Sequence, residues 1–264
     1  MAEFDRPTVT AGAGSAAVVD QGLRSYLLRV YNYMGLGLVV TGLVAWFAFN
    51  AATTGNAASA ATDATGATLA FAPGLYLTSF GAAIYTSPLM WLIVFAPLAF
   101  VLVLSFGINK LSVPTTQILF WVFAAVMGLS LASIFAVYTG GSIAKVFFIS
   151  AGTFGAMSLY GYTTKTDLTK FGSFLIMGLI GIVIASVVNI FLHSSGLSFA
   201  ISIVGVLVFV GLTAWDTQKI KENYDAGHAT EVLAKGAIMG ALSLYLDFLN
   251  LFLMLLRLFG NQRN

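Results

Sequence analysis

Seven stretches of the chain, at 30–51, 88–108, 117–138, 143–162, 171–191, 197–215 and 236–259, run with scarcely a charged side chain. Each is about 20 residues long, and at 1.5 Å of rise per residue a helix of that length crosses ~30 Å of hydrocarbon. The apolar residues are continuous rather than alternating, which excludes a porin-type barrel. Composition points the same way: 59% of the residues are apolar and 8% charged, with a mean hydropathy of +0.93. A soluble domain carries about 25% charged residues. So few charges cannot clothe a water-facing surface, which excludes a soluble enzyme. They exclude a disordered chain too, since disorder needs low hydrophobicity and high charge. The expected fold class is an all-α polytopic membrane protein with seven transmembrane helices.

The few charges carry the next layer of information. Twelve Lys and Arg against ten Asp and Glu give a net charge of +2, no electrostatic footprint for a nucleic acid. Cysteine is absent, so disulfides and thiolate metal sites are excluded. Residues 1–24 read as a disordered cytoplasmic tail. They lack the basic start and apolar core of a secretory signal, and Glu3, Asp5 and Asp20 argue against a mitochondrial transit peptide. Residues 52–86, rich in Ala, Thr, Gly and Ser with Asp63 as the one charge, read as a flexible outer loop.

Basic residues set the expected orientation. With the N-terminus cytoplasmic, Arg6, Arg24, Arg29, Lys110, Lys165, Lys170, Lys219, Lys221 and Lys235 all fall inside. Lys145 is the exception, placed to snorkel at the outer interface. Arg257 and Arg263 fall outside when the last segment crosses fully, and no Gly or Pro interrupts it between Ala241 and Leu258. Small residues at helical spacing, Gly181, Ala185 and Asn189 in one segment and Gly236, Gly240 and Ser243 in another, predict close helix approach in lipid.

A carboxylate at the centre of a membrane helix costs a few kcal/mol, and two of the ten acids lie within or at the end of an apolar segment: Asp216 and Asp247. Asp216 ends the sixth segment in Ala-Trp-Asp-Thr-Gln-Lys, where an ordinary pairing with Lys219 or Lys221 would suffice to explain it. Asp247 lies well inside the last segment. Ser243, Asp247 and Asn250 fall at i, i+4 and i+7, one narrow polar stripe among Leu and Phe. Such a face turns to the bundle interior or to water, which makes the last helix central. The plain alternative is a protonated Asp247 bonded to Asn250 or to a backbone carbonyl. If the bundle brings the two carboxylates together, they cannot both ionise cheaply, and the pair becomes a titratable latch. A divalent cation can replace the shared proton, because hard cations prefer carboxylate oxygens. That makes Asp216 and Asp247 candidate transient calcium contacts.

No enzyme constellation accompanies them. There is no His-Glu-x-x-His motif and no phosphate-binding loop, and neither His193 nor His228 has a partner at metal-ligand spacing. No catalytic activity and no bound cofactor are expected.

The last two segments carry a recognisable pattern. Asp216-Thr-Gln-Lys-Ile, then Ser243-Leu-Tyr-Leu-Asp247-Phe-Leu-Asn250-Leu-Phe, with Leu256-Arg257 and Gly260 beyond, closely resembles the Bax inhibitor-1 family. Met127-Gly128 and Ala151-Gly-Thr-Phe-Gly-Ala resemble it too, and the likeness covers residues 25 to 262. It implies two three-helix layers around a central C-terminal helix, in a bacterial inner-membrane protein. It implies a pH-sensitive calcium leak gated by an aspartate pair, here Asp216 and Asp247 with Ser243 and Asn250 in support. A basic residue latches the pair in some members, and Lys110 stands at a similar place. Other bacterial members are linked to a membrane-bound AAA protease. Two functions from different classes follow: a calcium (cation) leak, and a regulatory protein that binds such a protease through its N-terminal tail. A secondary transporter is disfavoured by the scarcity of buried polar groups for a substrate pocket.

Overall fold

The computed structural model describes residues 11–263, and the side chains from residue 21 onward. Helix α1 (Ala11–Ala52) opens the chain, so the expectation of disorder through residue 24 is corrected from Ala11 on; residues 1–10 lie outside the described part. The run from Ala11 has no proline, and although Gly12, Gly14, Val18 and Val19 are poor helix formers, it continues a helix already nucleated in the bilayer.

The 52–86 stretch is also corrected, from flexible loop to folded cap. Strands β1 (Thr53–Thr54), β2 (Ala70–Ala72) and β3 (Leu75–Leu77) form an antiparallel sheet in the order β1-β3-β2, with Thr53 opposite Leu77. Gly74 supplies the positive φ, 69°, of the Pro-Gly turn between β2 and β3. Helix α2 (Ser79–Tyr85) follows, capped by the Thr78 hydroxyl, which accepts from Gly81 N at 3.1 Å and donates to Ala51 O at 2.7 Å. A Cβ on Gly81 would lie 2.0 Å from Ala52 O, so this packing of α2 on the end of α1 requires glycine.

Six further long helices complete the bundle. They are α3 (Leu89–Gly107), α4 (Val113–Leu131) with the short α5 (Ile134–Val137) continuing it, α6 (Gly140–Thr163), α7 (Thr169–Leu192), α8 (Ser195–Glu222) and α9 (Thr230–Phe259). Among the described residues, seven helices are long and apolar enough to cross a membrane. Two layers result. Helices α1, α3 and α4 pack together on one side and α6, α7 and α8 on the other, with α9 against α1, α4, α6 and α8. Its most apolar stretch is 72% buried, against 11% in the outermost helices α3 and α7. Those two turn Phe95, Leu98, Phe106, Phe174, Met177 and Ile184 outward, the surface a bilayer requires.

Close approaches hold the layers together. A Cβ would lie 2.2 Å from Ala214 O at Gly161, and 2.6 Å from Thr41 O at Gly128. Gly236 and Gly240 allow the close approach that their spacing predicts: an added Cβ would lie 3.1 Å from Tyr26 OH and from Ile220 Cγ1, respectively. Gly181 instead faces outward, where an added Cβ would meet nothing within 4 Å, while Ala185 packs against the core and Asn189 Nδ2 donates to Ser198 Oγ at 2.6 Å. Past α9 the chain is clipped to the start of α6. Asn261 N donates to Ser142 Oγ at 2.8 Å, Thr139 N to Asn261 O at 3.1 Å, and Arg263 N to Val137 O at 2.8 Å. The uninterrupted α9 thus begins at one end of the bundle and finishes at the other, beside the β cap that contacts α5.

Candidate functional site

The cytoplasm-facing end expected from the basic residues holds a polar cavity between α8 and α9. Gly236 and Gly240 let α9 approach Tyr26 and Ile220, and all four line a cavity of about 450 Å³. Tyr26, Asp216, Lys219, Asn223, His228 and Ser243 lie on its wall. Asn223 and His228 are exposed in the α8–α9 connection, so the cavity runs from the bundle end inward to Asp216.

Asp216 is half-buried on α8, and Asp247, 5% exposed, faces it from α9. The two carboxyl groups meet across the helix interface, within reach of a shared proton. Asp247 Oδ2 is fully buried with no hydrogen-bond partner. A lone buried acceptor costs about 1–3 kcal/mol, more if charged, so the position is expensive for a residue with packing as its only role. Other acids show the contrast. Asp63 accepts from the Thr65 hydroxyl at 2.6 Å and from Ala67 N at 3.0 Å. The Thr65 hydroxyl, with help from the backbone, holds its carboxyl below the ordinary range. Asp167 is held low in the same way by Thr169.

Neither plain alternative for the pair is realised. Asn250 Nδ2 donates to Leu246 O at 2.8 Å, turned onto its own helix and away from Asp247. Lys221 donates to Tyr162 O at 2.8 Å, and Lys219 Nζ lies 5.0 Å from the Trp215 ring centroid while still exerting its charge on Asp216. Among the described residues the ion pair present is Lys235 with Glu231. No group of three or more His, Cys, Asp or Glu is assembled among them, so the pair offers a cation two carboxylates and no cage.

The family model described as "Inhibitor of apoptosis-promoting Bax1" matches residues 23–264, the whole membrane bundle and both aspartates. The chain belongs to the Bax inhibitor-1 family. The Inner membrane protein YbhL of Escherichia coli K12 is 49% identical over 245 residues, covering 92% of this chain and 94% of that one. RP147 of Rickettsia prowazekii is 48% identical over 248 residues, 93% of each chain. YrjE of Lactococcus lactis is 34% identical over 246 residues, 91% of this chain and 92% of its own.

Within this family member the expected site residues separate. Asp216, Asp247 and Ser243 converge on one interface; Asn250 lies on the same helix without joining them. Lys110 does not arrive: it is exposed in the turn between α3 and α4 and is absent from the cavity wall, where Lys219 is the cation beside Asp216. Lys110 follows the end of α3, the helix of its layer that is not among those packed against α9. Tyr26 and His228 are contributors that sequence reasoning passed over. Tyr26 lies four residues before Val30, between the expected tail (1–24) and the first apolar segment (30–51), and its aromatic ring was the available signal.

A second polar set holds the bundle around the pair. Tyr245 OH and Thr41 Oγ1 are 2.6 Å apart at the α1–α9 contact, and Thr41 lies 2.8 Å from Ala124 O of α4. On the other side Tyr31 OH meets Ser158 Oγ, which is 3.1 Å from Thr217 Oγ1, next in sequence to Asp216.

Proposed function

We propose that the protein is a passive cation leak of the bacterial inner membrane, with calcium the favoured ion, in which the protonation of Asp216 and Asp247 governs opening. The observation that carries this reading is the buried, unpartnered Oδ2 of Asp247 facing Asp216 at the inner end of the cavity. The inner-membrane location rests on the likeness to the Inner membrane protein YbhL, and a cytoplasmic N-terminus on the distribution of basic residues.

Two carboxylates in one poorly solvated site do not both ionise cheaply. One shared proton ties α8 to α9, and its loss sets like charges against each other across the interface. Beyond Asp247 the wall of α9 is Leu251, Met254 and Leu255, all buried, so this conformation is closed below the pair. Separation of α8 from α9 opens it. A calcium ion passing the pair meets two hard oxygen donors and no cage, which favours passage over retention.

The test is calcium entry into liposomes containing the purified chain, measured at a series of pH values. Asp247→Asn and Asp216→Asn each abolish the pH dependence of the flux. Wild-type flux equal to that of protein-free liposomes, or identical pH profiles in wild type and both variants, would overturn the reading.

A further inference from the structure

Away from the aspartate pair, a groove of about 530 Å³ runs between α1 and α6 on the outer surface of the bundle. Its walls are apolar, with Leu27 and Leu28 of α1 facing Phe154 and Leu159 of α6 across the gap left by Gly155. A Cβ on Gly155 would meet nothing within 4 Å, so this glycine relieves no contact inside the protein; the space in front of it is open. From Phe154 to Tyr162 the groove follows eight residues of helix, about 12 Å, the reach of a good part of an acyl chain. Tyr31 OH and Ser158 Oγ, which line the groove, are bonded to each other, leaving little polar demand on its floor.

One end of the groove is cationic. Arg24 lines it and is exposed, with no carboxylate partner among the described residues. Tyr162 lies at the same end and holds Lys221, whose Nζ sits 2.8 Å from its carbonyl oxygen and 5.3 Å from its ring centroid. An apolar slot about 12 Å long, open to the lipid phase and ending at an Arg and a Lys, has the shape and charge of one ligand class. We infer that the α1–α6 groove binds an anionic glycerophospholipid of the bilayer, one acyl chain lying along Gly155 and the phosphate resting between Arg24 and Lys221. Arg forks onto phosphate oxygens in a charge-assisted pair, and a basic residue at the membrane surface contributes ~1 kcal/mol toward an anionic lipid.

The site is independent of the aspartate pair and of the ion-leak reading. The test is native mass spectrometry of the delipidated full chain, titrated with dioleoyl-phosphatidylglycerol or dioleoyl-phosphatidylethanolamine. The wild type retains one phosphatidylglycerol in preference to phosphatidylethanolamine. Arg24→Gln lowers the phosphatidylglycerol affinity by about fivefold, the ratio that ~1 kcal/mol gives, and removes most of the preference. Gly155→Phe fills the groove and lowers the retention of both lipids. Arg29→Gln, in the separate α1–α4 groove where Arg24 also reaches, leaves both affinities unchanged. Unchanged retention in Arg24→Gln and Gly155→Phe would overturn the assignment. So would equal loss in the Arg29 variant, or equal binding of glycerophosphoglycerol, which has the headgroup without the chains.

Discussion

At the scale of single residues, the molecule treats its buried polar groups in two ways. Tyr245 is fully buried and satisfied: its hydroxyl is 2.6 Å from Thr41, and Thr41 in turn reaches the backbone of α1 and α4. Asp247, two residues along the same helix, keeps an oxygen with no partner. The first arrangement fastens three helices; the second stores an unmet demand beside a half-buried carboxyl. Tyr245→Phe therefore acts on stability. It costs about 1 kcal/mol, seen as a lower unfolding free energy in detergent, with the pH dependence of flux retained. The polar stripe at 243, 247 and 250 was legible because helical periodicity is strict. Which members of it would meet Asp216 was not legible. Asn250 satisfies itself on Leu246 O, a local choice of rotamer that no spacing rule encodes.

At the scale of elements, the seven spans could be read from the sequence because hydropathy reports burial in lipid directly. Their ends could not. Helix α8 continues from the end of its apolar segment at 215 to Glu222, and α9 begins at Thr230, since backbone hydrogen bonding does not stop where hydrophobicity does. The β cap was missed for a different reason. Its strands are two or three residues long, too short for a period of two to show, and they are stable because they rest on α1 and α2. Helix contacts turn on glycine. At Gly161 an added Cβ falls 2.2 Å from the Ala214 carbonyl, whereas at Gly155, nearly two turns away, it meets nothing. Gly161→Ala forces α6 from α8 and costs about 1–3 kcal/mol, while Gly155→Ala on the same helix is tolerated. Paired thermal melts of the two variants check this, and equal melting temperatures would contradict the packing of α6 on α8.

At the scale of the whole molecule, the bundle has two unlike ends. One carries the β cap and the C-terminal clip of Asn261 on Ser142. The other carries the α6–α7 connection, tied to α8 where Gln218 Oε1 accepts from Leu168 N at 2.8 Å and its Nε2 donates to Thr166 O at 2.9 Å, the α8–α9 connection, and the cavity that leads to Asp216. The chain has no cysteine, so single reporters can be placed without background. Ser59→Cys in the cap and Gln262→Cys past α9 both react with a membrane-impermeant maleimide in intact spheroplasts. Ala226→Cys, exposed in the α8–α9 connection, reacts after the membrane is opened. Labelling of all three from one side would contradict a full crossing by α9. The pattern also decides which compartment the pair senses. A cavity that opens with Ala226 on the cytoplasmic side exchanges protons with the cytosol, so the proposed leak, measured in oriented vesicles, is expected to follow the pH on that face and ignore the pH on the face bearing the cap.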